Sequence, residues 1–144
     1  KLNIDFIDID KEIEKKIGMT ISQIFENRGE KYFREIEEQT TLKFLKKNKT
    51  VISLGGGAFL NNKIKKEILE NHISFWLNWD IKTLFNRIKD SKKRPVALNA
   101  PKNVLIDLIK KRSIVYSKAM YKIDCENLSK NEIVKNVIKI YEAH

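Results

Sequence analysis

The chain has 144 residues, the length of one ordinary domain, and its 42% apolar and 33% charged content supports a core and argues against a disordered chain. No apolar run approaches the ~18–20 residues that cross a bilayer, and a single cysteine, Cys125, excludes an internal disulfide framework and a thiolate zinc cluster. A cytoplasmic protein without a membrane partner is expected.

Residues 6–10 (FIDID) read as a short strand whose acidic positions, Asp8 and Asp10, alternate with apolar ones toward its carboxyl end. Residues 11–17 form a short helix stopped by Gly18. Thr20 or Ser22 caps the next turn, Gly29 breaks it, and a longer helix from Glu30 carries Phe33, Ile36, Thr40 and Phe44 on one face. Residues 50–54 are β-branched and mostly apolar, a strand of the buried type, and Gly55, Gly56 and Gly57 follow at once. A helix with Ile64, Ile68 and Leu69 and a strand over 73–77 come next, and Asp80 caps a helix bearing Ile81, Leu84 and Ile88. The stretch 90–101, with two prolines and little apolar periodicity, reads as an exposed, mobile loop. A long helix through Leu105, Leu108, Ile109, Arg112 and Tyr116 follows, then a strand over 122–124. Ser129 and Glu132 make a capping box for a last helix with Val134, Val137, Ile138 and Tyr141 inward.

Strands that alternate with helices, without hairpin turns, predict a single α/β domain over 1–144, a three-layer α/β/α fold around a parallel sheet. Ligands of such sheets bind beyond the carboxyl ends of the strands.

The net charge of +10 invites a nucleic-acid reading. Yet arginine stands only at positions 28, 34, 87, 94 and 112 among dispersed lysines. A solvated, lysine-biased surface explains the bulk of the charge, and each scarce arginine becomes a candidate for planar anion recognition. Asp8 and Asp10 could hold a hydrated Mg²⁺ or take a proton, or Asp10 could simply cap a helix. Three glycines after a strand let a ligand approach the main chain and leave amides able to donate. Arg34 and Glu37 lie at i and i+3, either as an oriented guanidinium or as a surface ion pair. Arg94, between Lys93 and Pro95, could bring a cation onto a phosphoryl group or sit in a plain turn. Arg112 lies on an inward helical pattern and needs an anionic partner there. Cys125 reads as a small apolar filler.

Taken together, FIDID (6–10), IFENRGEKYFREIE (24–37), SLGGGA (53–58), KRP (93–95) and KRSIVY (111–116) resemble shikimate kinase, a small nucleoside-monophosphate-kinase-like P-loop enzyme. The resemblance implies transfer of the ATP γ-phosphoryl to the 3-hydroxyl of shikimate in chorismate biosynthesis, by a monomer with no nucleic-acid partner. It implies Asp10 as a substrate-binding general base and Asp8 as a holder of Mg²⁺ through water. Arg34 and Arg112 would clamp the substrate carboxylate, with Glu37 orienting Arg34. Residues Gly55, Gly56 and Gly57 would meet substrate hydroxyls, and Phe25 and Phe33 would wall the pocket. Arg94 would come down with the lid over about 90–101, and Arg87 would lie against adenine. Two departures stand out: Val96 replaces the usual leucine, and residues 113–115 lack the usual proline.

The phosphate-cradling run G-x-x-x-x-G-K-S/T does not occur: Gly18 precedes Met19, Gly29 precedes Glu30, and Gly57 precedes Ala58. In the family that run and its strand come before the FIDID-like segment. A truncated or partial chain is therefore expected, with a central strand lacking and inefficient turnover on its own. A non-catalytic shikimate-binding homologue is the alternative, and a basic nucleic-acid-binding domain a more distant one.

Overall fold

A computed structural model describes residues 2–144 other than 90, 92, 93 and 98. Lys93 of the KRP segment thus lies outside the described residues. The chain falls into two compact units, residues 1–68 with 92–95, and residues 69–91 with 96–144.

In the first unit, β1 (Asp5–Asp8) ends where α1 (Ile9–Ile17) begins. Asp8, at φ −102° and ψ 112°, is the N-cap, and its carboxylate accepts from the Lys11 amide at 3.3 Å. Aspartate is a poor strand residue and a strong cap, so the strand ends two residues earlier than expected. Asp10 therefore sits in the first turn of α1, where the helix dipole favours an acid, and not beside Asp8 on a strand face. Gly18, at φ 73°, closes the helix.

Thr20 opens α2 (Ile21–Leu45) with a full capping box, its hydroxyl accepting from the Gln23 amide at 3.2 Å while Gln23 accepts from the Thr20 amide at 2.9 Å. Gly29, at φ 82° and ψ 168°, interrupts this helix where the sequence placed a break. Parallel pairing of β1 with β2 (Thr50–Ser53) sets Asp8 opposite Ser53. Both strands thus finish at one edge, where α1 starts and the glycine turn follows. A 3-10 turn (Ala58–Leu60) then leads into α3 (Asn62–Asn71).

Ile7, Ile9, Ile13, Ile24 and Phe33 form the core of this unit. They bury the stripe of α1 and one face of the strand pair. On the other face Phe6 is 64% and Val51 49% exposed, opposite one another in the register. This corrects the reading of β2 as buried on both sides, because only one face of the pair is packed within the unit.

The second unit contains β3 (Phe75–Asn78), α4 (Ile81–Ile88), α5 (Lys102–Tyr116), β4 (Tyr121–Asp124) and α6 (Lys130–Ala143). Again the strands pair in parallel, Phe75 opposite Tyr121. Asp80 occupies the N-cap position of α4 without a side-chain cap bond. Glu126 ties this helix start instead, accepting from the Asp80 amide at 3.1 Å and the Thr83 hydroxyl at 2.7 Å. The 90–101 loop is not exposed throughout: Ala97 is buried against Ile88, Leu105 and Ile109. The Ser129–Glu132 capping box forms as expected. The inward face of α6, however, is Ile133, Val137 and Ile140, while Val134 and Tyr141 are exposed. Spacings of four and three residues keep those three on one stripe; the sequence reading placed Val137 there correctly but took Val134 and Tyr141 in place of their preceding neighbours Ile133 and Ile140. Cys125 is fully buried, donates to the Ile123 carbonyl at 3.3 Å, and has its thiol pKa raised by burial. It is the apolar filler expected.

Among the described residues the architecture is thus α/β with parallel strands, in two two-stranded sheets, one per unit. Among the described residues, no helix is long and apolar enough to cross a membrane.

Gly29 has open space where a Cβ would stand, so its replacement is resisted by backbone conformation alone. We expect Gly29→Ala to lower the unfolding free energy by about 1–3 kcal/mol in urea titrations. A neutral result would mean that the kink relaxes into regular helix.

Candidate active site

The glycine break in α2 restarts the helix so that Phe33, Arg34 and Glu37 follow within one turn. Glu37 is 2% exposed. An ionised carboxylate at that depth is costly unless a cation reaches it. Arg34 supplies the cation, Nη1 donating to Glu37 Oε1 at 2.8 Å. Glu30, one turn earlier, adds a longer and more exposed contact of 3.4 Å to Nη2. The guanidinium also lies 5.2 Å from the Phe33 ring and 6.0 Å from that of Phe25. Those rings pack with centroids 4.8 Å apart. A guanidinium has five donors, so two carboxylate contacts leave others for an oxyanion.

The glycine turn is shaped by the same groups. A Cβ on Gly57 would lie 2.6 Å from Cζ and 2.7 Å from Nη2 of Arg34. One on Gly55 would lie 2.8 Å from Asp10 Oδ1 and 3.2 Å from Glu37 Oε2. Side chains are absent here because a guanidinium and two carboxylates press on the main chain. Gly56 lies between these two positions. Bonds from the Ala58 amide to Gly55 O and from Leu60 to Gly57 O, both 3.1 Å, fix the turn.

Asp10 is held in an acidic environment. Its Oδ1 is buried without a hydrogen-bond partner. Burial pushes the carboxyl up to about 6, helped by the charges of Glu37, Asp8 and Glu14 and opposed by Arg94. Arg94 itself is exposed. A carboxyl group titrating near neutrality can accept a proton from an alcohol in reach. Asp8 spends one oxygen on its long cap bond beside this second, protonatable carboxyl. Such a donor set fits Mg²⁺ held through water, as that ion keeps several waters and leans on one or two carboxylates plus substrate phosphates. Among the described residues, no group of three or more His, Cys, Asp or Glu side chains is placed to hold a metal.

Arg87 and Arg112 belong to the second unit. Arg112 is half-buried, and among the described residues its Nε is buried without a hydrogen-bond partner. Arg87 lies 4.8 Å from the Trp79 ring centroid, which accounts for that tryptophan at the end of β3. Sequence reasoning missed Glu14 and Glu30. Glu30 was recoverable from its i, i+4 spacing to Arg34. Glu14, which also accepts from the Ile21 amide at 3.0 Å, gave no local signal.

A carboxylate with a buried, unpartnered oxygen and an oriented guanidinium thus meet one glycine turn at the carboxyl edge of a parallel strand pair. The family profile "SKI: Shikimate kinase" matches residues 1–142. A shikimate kinase of Thermodesulfovibrio yellowstonii is 37% identical over 143 residues, covering 99% of this chain and 83% of that protein. One from Bartonella quintana is 37% identical over 139 residues, 96% of this chain and 66% of that protein. Among solved structures, shikimate kinase from Acinetobacter baumannii in complex with shikimate aligns with a TM-score of 0.88 and 27% identity. It covers 97% of this chain and 79% of the other. The chain belongs to the shikimate kinase family. It is by family an ATP-dependent kinase, a transferase acting on an alcohol.

Two outcomes follow from the geometry. Gly57→Ala displaces the Arg34 guanidinium and strands Glu37, so we expect a loss of roughly 2–4 kcal/mol in chemical denaturation; unchanged stability would show that Arg34 is not seated on the turn. Because the Asp10 pKa is raised in the fold, its stabilising contribution is full below its unfolded value of 3.8 and is lost as pH rises through about 6. Asp10→Asn should remove that slope, and should make the protein more stable than the parent at pH 7 by of order 1 kcal/mol after solvent screening. Parallel stability–pH curves for the two proteins would contradict this.

Proposed function

We propose that the chain binds shikimate and transfers the γ-phosphoryl of ATP to its 3-hydroxyl, with ADP as the leaving group. The observation that carries this reading is the Arg34 guanidinium, held by buried Glu37 and laid against Gly57. A planar cation fixed beside bare main chain suits a small acid bearing hydroxyls. In this reading Arg34 and Arg112 take the substrate carboxylate, and the turn at Gly55, Gly56 and Gly57 takes hydroxyls. Phe25 and Phe33 face the carbon ring.

Asp10 holds the reacting hydroxyl and removes its proton as the oxygen attacks phosphorus. Phosphoryl transfer depends chiefly on such alignment and on charge stabilisation. Arg94, on a loop that closes over the site, neutralises charge on the moving group and excludes water. Arg87 lies along adenine. Mg²⁺, held by Asp8 through water, would supply charge neutralisation at the phosphates. The enzyme is read as a cytoplasmic monomer of one domain, acting without nucleic acid or membrane.

Affinity isolates the substrate half of this proposal from nucleotide binding. Calorimetric titration with shikimate should give saturable binding. Arg34→Ala and Arg112→Ala should each weaken it about 10–100-fold, the scale of a lost charge-assisted hydrogen bond. Unchanged affinity in both variants would defeat the carboxylate clamp.

A further inference from the structure

Glu38 follows Glu37 on α2 and has no part in the chemistry above. Its carboxylate accepts from Asn61 Nδ2 at 2.7 Å and from Lys63 Nζ at 2.9 Å. Asn61 in turn caps α3, its Oδ1 accepting from the Lys63 amide at 2.9 Å and the Ile64 amide at 3.1 Å. The Asn61 amide also closes the 3-10 turn on the Ala58 carbonyl at 3.1 Å, and that turn begins with the Ala58–Gly55 bond. From Gly55 to Asn61 the backbone is therefore one run of linked turns. Pairing of β2 with β1 fixes its near end, and Glu38 fixes its far end.

Arg34, Glu37 and Glu38 stand at i, i+3 and i+4, so they share one face of α2. The helix that presents the guanidinium thus also anchors the turn on which the guanidinium rests. Lys63 is largely exposed, so its ion pair adds little. The bond from Asn61 is part-buried and charge-assisted, and it is the stronger link. We infer that Glu38 is a positioning residue, a latch that sets the spacing between the glycine turn and Arg34 and so tunes substrate affinity. Its effect on affinity rests on the proposed function, whereas its effect on the turn does not.

Both effects can be read on the full chain: amide hydrogen exchange over residues 55–61 without ligand, and shikimate affinity by calorimetry. Glu38→Ala should speed exchange in the turn about tenfold and weaken affinity roughly five- to tenfold, with α6 amides unchanged. Asn61→Asp keeps the oxygen that caps α3 and replaces the donor with a second carboxylate facing Glu38, so the same losses are expected. Adding Glu38→Gln to Asn61→Asp rebuilds the bond in reversed polarity and should return both readouts to within about twofold of the parent. Wild-type exchange rates in both single variants, or no recovery in the double variant, would overturn the latch. If the parent does not bind shikimate, the proposed function fails while exchange still decides the role of Glu38. If Glu38→Ala does not fold, Asn61→Asp and the double variant carry the test.

Discussion

The bond between Arg34 and Glu37 is the constraint on which the site depends. Glu37 is buried on a helix that packs against the core, and a carboxylate there needs a cation at hydrogen-bond distance. Satisfying that need fixes one guanidinium nitrogen, and the contacts with Glu30 and the Phe33 ring limit the plane of the group. The plane lies against residue 57, so that position has no room for a side chain. Gly55 is constrained in the same way by Asp10 and Glu37. One buried charge therefore dictates the helix spacing, the glycine turn and part of the acidity of Asp10.

The same arrangement separates binding from proton transfer. Arg34 is oriented by an acid that is itself out of solvent. Asp10 faces the same turn but has a buried oxygen without a donor, and its pKa moves toward neutrality. Two acids of similar chemistry thus take different tasks because one has a guanidinium and the other does not. That division suits a kinase, which must hold a charged substrate firmly while accepting a proton only as the phosphoryl group moves.

Much of this was legible in the sequence, for physical reasons that differ between segments. Arg34 and Glu37 were visible because helical spacing alone brings them together. The glycine run was visible because three bare residues after a strand serve few other ends. The Ser129–Glu132 box and the Gly18 stop rest on backbone groups that only a few residue types satisfy. The position of Asp10 was not legible, because FIDID fits strand alternation and helix capping equally well until Asp8 takes the Lys11 amide. The exposure of Val51 escaped for a related reason: composition reports what a strand could bury, not which face finds a partner. Ala97, deep in a stretch that reads as loop, is buried by contacts from helices on either side in sequence. Such long-range partners leave no local mark.

The central claim is that a guanidinium oriented by Glu37 is the receptor for the substrate's carboxylate. The most direct measurement is the side-chain Nε–H resonance of Arg34 followed by NMR as shikimate is added. It should shift saturably together with the amides of Gly56 and Gly57, and lose that response in Glu37→Gln. If those three signals stay in place while shikimate perturbs residues elsewhere, the guanidinium is a structural ion pair and the substrate binds at another site.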